Sequence, residues 1–329
     1  MPHTDLPPFE LHHPVFSDCL SDELHHPVFS DCLSDNVRTL LEFVALRYAK
    51  HEKHELIESI SSARILLDGV PAHPEQYLTA GQVVSVIMPG HWEDTVDTQW
   101  FKVWENTEIL AVYKPALLPV SRTTRNLYNT LIQLVRRQTP FYDAHLLHRL
   151  DTETDGLILI AKNKAADRKW KKQLNQLIER KLYHAVVSGH PSWLTKEVEC
   201  ELSERVDSEI RSQVYVAGDH PSALYKKRRW SKTAFRVLSR DENTSLIECE
   251  LFTGRKHQIR AHLTSLGHPI IGDKIYAHEG YFYLKRLDSA LSARDYEVLQ
   301  SAHHRLTAVE LLIRPDPDSP SIHLRLNQT

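Results

Sequence analysis

The sequence has little cysteine, little glycine and no long apolar run. Its 329 residues include only four cysteines and ten glycines. No two cysteines have the CxxC spacing, so we expect neither a disulfide framework nor a zinc ribbon. No apolar run approaches the roughly 20 residues of a membrane-spanning helix, and the N-terminus lacks the basic and apolar regions of a signal peptide. We therefore expect a cytoplasmic protein without a membrane partner.

A strong net charge is also absent. The formal net charge is −3, and 25% of the residues are charged, so the overall composition does not indicate a nucleic-acid-binding protein. Two segments are nevertheless locally basic, "KNKAADRKWKKQLNQLIERK" at 162–181 and "YKKRRW" at 225–230. Each alone is typical of a solvated surface. Together they make an anionic partner a reasonable hypothesis.

The N-terminal region contains a tandem repeat, because "ELHHPVFSDCLSD" occupies 10–22 and recurs at 23–35. A duplication supplies metal-ligand residue types in multiples automatically, and these segments lack a strand or helix pattern that would fix their geometry. We therefore interpret 1–36 as an N-terminal arm and predict no metal site there. The rejected ligand set is His12, His13, Cys19, His25, His26 and Cys32.

The pattern after the arm predicts two domains. Residues 37–95 have two amphipathic helical segments and short strands around an Asp-Gly turn, which is typical of a small α/β module. From 96 to 329, strands and helices mix without regular βαβ alternation. This predicts an α+β domain with a mixed, largely antiparallel sheet and flanking helices. A monomer is the default expectation.

Three carboxylates alternate in "HRLDTETDG" at 148–156, namely Asp151, Glu153 and Asp155. The stretch precedes a predicted buried strand, and loops at the ends of rigid strands favour catalytic groups. Ionised carboxylates crowded together repel one another, so most should face water. As a magnesium site, the stretch lacks both a second acidic cluster and a glycine-rich phosphate loop. The residues alone do not decide between a surface turn and a site.

A second stretch, "TGRKHQIRAHLTSLGHPIIGDKIY" at 253–276, lies farther along the chain. Together with "HRLDTETDG" it resembles the RluA-type pseudouridine synthase family. Three more segments match in the same order: "VYKPALLPVS" at 112–121, "ERKLYHAVVSG" at 179–189 and "HHRLTAVELLI" at 303–313. The resemblance covers roughly 100–315. It implies a pseudouridine-synthase-like fold and an enzyme that isomerises uridines in ribosomal or transfer RNA. It also implies that the reaction needs no cofactor and no metal.

The resemblance also implies roles for individual residues. Asp151 matches the catalytic carboxylate, Tyr183 the active-site tyrosine, and Arg255 is the expected counter-ion that keeps Asp151 ionised. Arg149 matches the residue that fills the space left by a flipped uridine. Glu153 is then expected to be a solvated loop residue. The residues expected on the substrate side are Arg149, His148, which also supports the loop, Lys114, His257, Gln258 and Arg260.

The sequence departs from the family pattern in a few places. Asp155 stands where serine is usual, and Leu117 replaces a usual glycine in the Lys-Pro loop. An additional acid beside an RNA channel needs a partner or must point away. Residues 37–95 resemble only in outline the small RNA-binding module, named for a ribosomal small-subunit protein, that often precedes this catalytic domain.

Two other functions compete with an active synthase that modifies ribosomal RNA or transfer RNA. One is a catalytically silent relative that binds structured RNA, which the Asp155 departure allows. The other is a metal-dependent phosphoesterase that uses the three loop acids, for which the chain supplies no further ligands at suitable spacing.

Overall fold

The computed structural model describes residues 28–32, 39–48, 51–79, 82–87, 93–218 and 222–326. It divides into two compact units. The first comprises Met1–Thr95 with Ser121–Ala144, and the second comprises Val96–Val120 with His145–Thr329. Residues 121–144 therefore belong with the N-terminal unit, although the sequence pattern places them in the catalytic domain.

In its described residues, the first unit combines a small sheet with three helices. The helix at Leu40–Arg47 begins at a capping box, in which Thr39 and Glu42 each accept a hydrogen bond from the other's backbone N–H. Apolar side chains of this helix, of the helix at Lys53–Ser61 and of the sheet form the core of the unit. Its elements are β1 (Val28–Cys32), α1 (Leu40–Arg47), α2 (Lys53–Ser61), β2 (Ile65–Leu67), β3 (Val70–Pro71), β4 (Val83–Ile87) and α3 (Leu131–Gln138).

Strand β1 corrects the interpretation of the N-terminal arm. It comes from the second copy of the duplication and pairs antiparallel with β4, in a sheet ordered β1-β4-β2-β3. Part of the expected arm is therefore a strand of the first unit. The remainder of the duplication, with His12, His13, Cys19, His25 and His26, lies outside the described residues.

The second unit is built on a large sheet with helices beside it. Its elements are β5 (Phe101–Glu105), β6 (Ile109–Lys114), β7 (His145–Leu146), β8 (Asp155–Ala161), α4 (Lys164–Lys172), α5 (Leu174–Leu177), β9 (Ile178–Ser188), β10 (Thr195–Ser203), β11 (Tyr215–Val216), β12 (Arg229–Arg240), β13 (Thr244–Leu251), α6 (Gln258–Ser265), α7 (Tyr281–Asp288), α8 (Ala293–Leu299), β14 (Leu306–Ile313) and β15 (Ile322–Arg325).

Eleven strands of the described residues form this sheet, in the order β11-β10-β12-β13-β9-β14-β8-β6-β5, with β15 paired to β14 and β7 to β8. Within the described part of the sheet, β8 and β14 form the single parallel pair. The predicted α+β class with a mixed, largely antiparallel sheet is confirmed. Among the described residues, none of the helices is both long and apolar enough to span a membrane.

Strand β8 gives the site a rigid support. Every residue from Gly156 to Ala161 is buried, because apolar side chains alternate onto two covered faces. One face joins a core with Ile109 and Trp170. The loop that carries the three acids runs directly into this strand, so its position is fixed by the centre of the sheet.

Candidate active site

Asp151 lies in the loop between β7 and β8, at the start of a turn closed by a hydrogen bond from the Thr154 backbone N–H to its carbonyl (3.1 Å). Its Oδ2 accepts a hydrogen bond from Arg260 Nη1 at 2.8 Å. The side chain keeps 30% of its surface exposed. Burial alone would raise the pKa of Asp151, but His257, Arg260 and His304 outweigh it and lower that pKa to about 2.

The permanent positive charge beside Asp151 belongs to Arg260. His257 Nε2 lies 3.8 Å from Asp151 Oδ2, but burial and the neighbouring Arg260 lower the pKa of His257 to about 4. The imidazole is therefore neutral at pH 7. Arg260, which stays protonated, accounts for an ionised Asp151 at neutral pH.

Arg260 is fixed by a second carboxylate. Its Nε and Nη2 donate to Asp273 Oδ2 and Oδ1 at 2.7 and 2.9 Å. Asp273 is fully buried and also accepts the backbone N–H groups of Ile275 and Tyr276. The guanidinium further lies 5.0 Å from the centre of the Tyr276 ring. One arginine therefore connects Asp273 to Asp151 and has little freedom to move.

Arg255 is not the counter-ion of Asp151, which corrects the expectation from the family pattern. Its side chain is exposed, and its Nε donates to the backbone carbonyl of Trp230 at 2.9 Å. Arg255 precedes α6, whereas Arg260 lies in its first turn. His257, at the junction, has a left-handed φ of 54°, which separates the directions of the two arginines.

Each residue after Asp151 is also held by a different part of the second unit. The buried Lys114 Nζ donates to the carbonyl of Thr152 at 3.1 Å, and to the carbonyls of Pro115 and Leu118. Thr154 Oγ1 shares a hydrogen bond of 2.7 Å with His304 Nε2. Lys114 therefore joins the Lys-Pro loop to the acidic loop, which makes it a structural group of the site.

Glu153 is not a solvated loop residue, contrary to expectation. Its side chain is 15% exposed. Its two oxygens accept from Lys274 Nζ at 3.0 and 3.1 Å, and Oε2 also accepts the backbone N–H of His304 at 3.0 Å. Burial opposes ionisation, but His304 and Lys274 lower the pKa of Glu153 overall.

Asp155, the departure from the family pattern, has partners in the fold. Its Oδ1 accepts from the Thr307 hydroxyl at 2.8 Å, and its Oδ2 accepts from the Tyr113 hydroxyl at 3.3 Å. Its charge also favours the protonated form of Lys114, whose pKa burial lowers to about 7. The extra acid is thus accommodated by two neighbouring strands, β6 and β14.

His148 and Arg149 precede Asp151 and differ in environment. His148 Nε2 accepts the backbone N–H of Leu159 at 3.1 Å, and burial lowers the pKa of His148 to about 3. The ring is neutral and holds the loop against β8. Arg149 is exposed, so its guanidinium is free to meet an incoming molecule.

Tyr183 lies in β9, opposite Cys249 and Ala308 of the neighbouring strands. The side chain is 6% exposed. Burial and the charge of Asp151 raise the pKa of Tyr183 well above its usual value. The phenol is therefore protonated at neutral pH, and the charge of Asp151 in the loop acts on it.

Gln258 was expected on the substrate side, but the structure places it inside the fold. Its Nε2 donates to the carbonyl of Lys232 and to Thr233 Oγ1, while its Oε1 accepts from Thr253 Oγ1 and from the Arg255 backbone N–H. All of its polar capacity is used by the protein. Gln258 shapes the turn that begins α6.

Sequence reasoning missed Asp273, Lys274 and His304 as parts of the site. All three were present in the matching segments, but a short motif does not show which side chains point inward. In the described ranges, no group of three or more His, Cys, Asp or Glu side chains is arranged to hold a metal ion. The three loop acids instead face Arg260, Lys274 and neutral donors.

Comparison with known proteins places this arrangement in a family. The family model described as RNA pseudouridylate synthase matches residues 108–265. Over 244 residues the chain is 31% identical to an uncharacterised RNA pseudouridine synthase of Synechocystis, covering 73% of this chain and 80% of that protein. Over 214 residues it is 32% identical to the dual-specificity RNA pseudouridine synthase RluA of Vibrio parahaemolyticus, covering 63% and 80%.

A solved structure shows the same fold. The human RNA pseudouridylate synthase domain containing 1 superposes with a TM-score of 0.54 at 21% identity, over 71% of this chain and 86% of that chain. The residues matched by the family model include the segments that carry Asp151 and Arg260. The chain belongs to the RluA-type family of RNA pseudouridine synthases.

Proposed function

We propose that this enzyme isomerises uridines in structured RNA with Asp151 as its catalytic carboxylate. The observation that supports this choice is the unequal state of the three loop acids. The oxygens of Glu153 are occupied by Lys274 and His304, and those of Asp155 by Tyr113 and Thr307. The neighbouring Arg260 helps to keep Asp151 ionised, and the Asp151 side chain is still partly exposed.

The reaction needs a carboxylate and no redox partner. The bond from ribose C1′ to uracil N1 breaks, the base turns, and a bond from C1′ to C5 forms. C5 then loses its proton, and N1 carries a hydrogen in the product, so atoms and electrons balance without a cofactor. An ionised carboxylate beside C1′ acts as a nucleophile or stabilises the positive charge that develops there.

Two neighbours supply the remaining roles in this proposal. The phenol of Tyr183 is protonated, and it is close enough to Asp151 for that charge to raise its pKa. In this proposal Tyr183 stacks on the base and donates or relays a proton while the base turns. The exposed Arg149 occupies the space that the uridine leaves when it flips out, at a cost of a few kcal/mol. A planar guanidinium both stacks and donates hydrogen bonds, which suits this position.

Ribosomal RNA is the target that we propose first, because a small α/β unit precedes the catalytic sheet in the chain. Transfer RNA is the second candidate, and the Vibrio relative carries the name dual-specificity. Mapping pseudouridines in total RNA from cells with and without the gene separates these targets. A position lost on deletion and restored by the wild-type gene identifies the substrate.

Replacing Asp151 by asparagine tests the catalytic assignment. The amide keeps the size of the side chain but removes the charge, so release of tritium from RNA containing 5-tritiated uridine should fall by roughly three orders of magnitude or more. RNA affinity should stay within about threefold, because the reacting group contributes little to ground-state binding.

The matched control is Asp207→Asn, which removes an exposed aspartate that pairs with Arg205 outside the site. This variant should release tritium at the wild-type rate. Undiminished release by Asp151→Asn would refute the role of Asp151. A wild-type protein that binds RNA but releases no tritium from any candidate RNA would instead favour the silent RNA-binding alternative.

A further inference from the structure

Two of the three loop acids, Asp151 and Glu153, are connected to two adjacent residues elsewhere in the chain. Asp273 binds Arg260, which binds Asp151, and Lys274 binds Glu153 directly. A single dipeptide therefore contacts the turn directly at Glu153 and, through Arg260, at Asp151. Its two members have opposite charge, as their targets require.

We propose that Glu153 and Lys274 form a positioning pair, which sets the orientation and electrostatic environment of Asp151 without touching the substrate. This proposal rests on the assignment of Asp151 as the catalytic carboxylate. It goes beyond that assignment, because it gives a kinetic role to two residues outside the reacting centre.

The contacts of Lys274 leave it little freedom. Its side chain is 5% exposed, and Nζ donates to both oxygens of Glu153 and to the carbonyl of Ala302 at 2.8 Å. These acceptors satisfy the three donors of an ammonium group. The segment from 302 to 304 contacts Glu153 as well, through the His304 backbone N–H. Lys274 and Glu153 thus form a closed buried network with this segment.

The backbone under Lys274 is also fixed. Gly272 has a φ of +80°, and a Cβ at this residue would lie 2.2 Å from the carbonyl oxygen of His303. Only glycine fits such an approach. The backbone that precedes the Asp273–Lys274 dipeptide is therefore packed closely against the 301–304 segment. This packing fixes the point from which the two side chains extend towards the loop.

The charge of Glu153 acts on Asp151 because the two residues are close in the chain. Glu153 is two residues from Asp151, so an uncompensated Glu153 would raise the pKa of Asp151. The charged and titratable groups that act on Glu153 are Lys274, Arg286 at 3.6 Å, His304 at 3.8 Å, Arg260 and His303. Those that act on Asp151 are Arg260, His257, His304, Lys114, Tyr183 and Tyr276. Lys274 is the cation closest to Glu153. It therefore reduces the electrostatic repulsion between Glu153 and Asp151.

The test is a double-mutant cycle with Lys274→Met, Glu153→Gln and the double variant, measured by single-turnover tritium release. Lys274→Met should lower kcat by roughly ten- to a hundredfold, because small misplacement of a reacting group is costly. RNA affinity should change by less than about threefold. Glu153→Gln, which retains one oxygen acceptor, should lose only a few-fold.

The pH profile separates positioning from a general loss of structure. In Lys274→Met the acid limb of kcat should move to higher pH, because Glu153 loses its closest cation. In Glu153→Gln it should stay or move to lower pH. The double variant, which lacks both charges, should have an acid limb near that of the wild type and a kcat no lower than Lys274→Met.

The matched control is Lys285→Met. Lys285 also donates two hydrogen bonds to one carboxylate, at 2.8 and 2.9 Å, but that carboxylate is Asp295 of α8 and not an acid of the loop. Its kcat and pH profile should be those of the wild type. If Lys274→Met does not fold, Lys274→Arg keeps the charge and should lower kcat while leaving the acid limb unmoved.

Several outcomes would overturn the pair. These are an unchanged kcat in Lys274→Met, strictly additive losses in the cycle, or a loss carried entirely by RNA affinity. The wild type and Asp151→Asn, assayed in parallel, keep the two proposals distinct. If the wild type releases tritium and Asp151→Asn does not, the catalytic assignment holds and the Lys274 variants judge the pair alone.

Discussion

Arg260 contacts two carboxylates at once, and this explains why an arginine occupies the position. The guanidinium offers five N–H donors in a planar fork, so it reaches both oxygens of Asp273 and one of Asp151. A lysine is a point charge on a flexible stem and would not bridge both groups in fixed geometry. The charge of Asp151 thus depends on the shape of its partner as well as on its sign.

Arg260→Lys should therefore raise the pKa of Asp151 from about 2 towards its usual value and move the acid limb of kcat upward. Activity at pH 7 should fall by roughly a hundredfold through lost orientation. The folded-state pKa is lowered, so the ion pair stabilises the protein fully above about pH 4. This stability, of order 2 kcal/mol, is lost as the pH falls towards 2.

Thermal unfolding of wild type and Arg260→Lys between pH 2 and 7 checks this sign. The difference between the two should be largest near neutrality and shrink in acid. Arg236→Lys is the matched control, because Arg236 makes two hydrogen bonds to Glu248 on an exposed face of the sheet. An Arg236→Lys effect as large as that of Arg260→Lys would contradict the special role of the buried pair.

At the scale of elements, the loop is placed by the parallel contact between β8 and β14. Thr307 pairs with Asp155 and Ala308 with Gly156. Gly156 has a φ of +115°, and a Cβ there would lie 2.3 Å from the Ala308 carbonyl oxygen. The glycine lets the two backbones approach where the acidic loop ends.

Gly156→Ala should consequently destabilise the protein by at least about 2 kcal/mol, since both the backbone angle and the space are unfavourable. Urea unfolding measures this loss. Gly218→Ala is the control, because a Cβ at Gly218 meets no atom within 4 Å. Equal midpoints for the two variants would show that β14 shifts easily, and the fixed loop position would then be wrong.

The sequence predicted the elements better than it predicted their contacts. Apolar periodicity and turn residues predicted two helical segments within 37–95 and a buried strand after the acidic loop, and α1, α2 and β8 lie there. The family motif also singled out Asp151, the loop acid that Arg260 contacts. It did not distinguish Arg255 from Arg260, because that choice depends on the left-handed turn at His257, which local pattern does not reveal.

The sequence also did not reveal contacts between residues that are far apart in the chain. Lys274 is 121 residues from Glu153 in sequence, so alternating acids alone indicated a solvated loop. Residues 121–144 similarly group with the first unit through contacts far along the chain. One such contact is Glu93, whose carboxylate accepts the backbone N–H groups of Leu127, Tyr128 and Asn129. Periodicity contains no information on pairings of this kind.

At the scale of the whole molecule, charge is distributed in pairs. The net charge is −3, and much of the locally basic sequence faces acids. Lys169 lies 2.7 Å from Glu108. In the second basic segment, Lys226 lies 3.4 Å from Glu204 and Arg228 lies 3.7 Å from Glu201. A cation already paired gains less from a phosphate, because it must leave its carboxylate first.

We therefore expect the paired cations of the segment 225–230 to contribute little to RNA binding. Replacing Lys226 and Arg228 together by methionine should weaken RNA affinity by less than about threefold at physiological salt. Two phosphate contacts made by free cations would instead contribute about 1.4 to the slope of log affinity against log salt for a single strand.

The measurement is RNA affinity over a salt series for the wild type, the double variant and Arg149→Met. Arg149 is exposed beside Asp151, so its loss should affect affinity or turnover more than the loss of both paired cations. A fall in the salt slope of about 1.4 for the double variant would contradict the expectation, because it would show that RNA displaces Glu201 and Glu204. An unchanged slope would mean that recognition depends on the groups around the acidic loop and that the basic sequence serves mainly to balance the protein's own carboxylates.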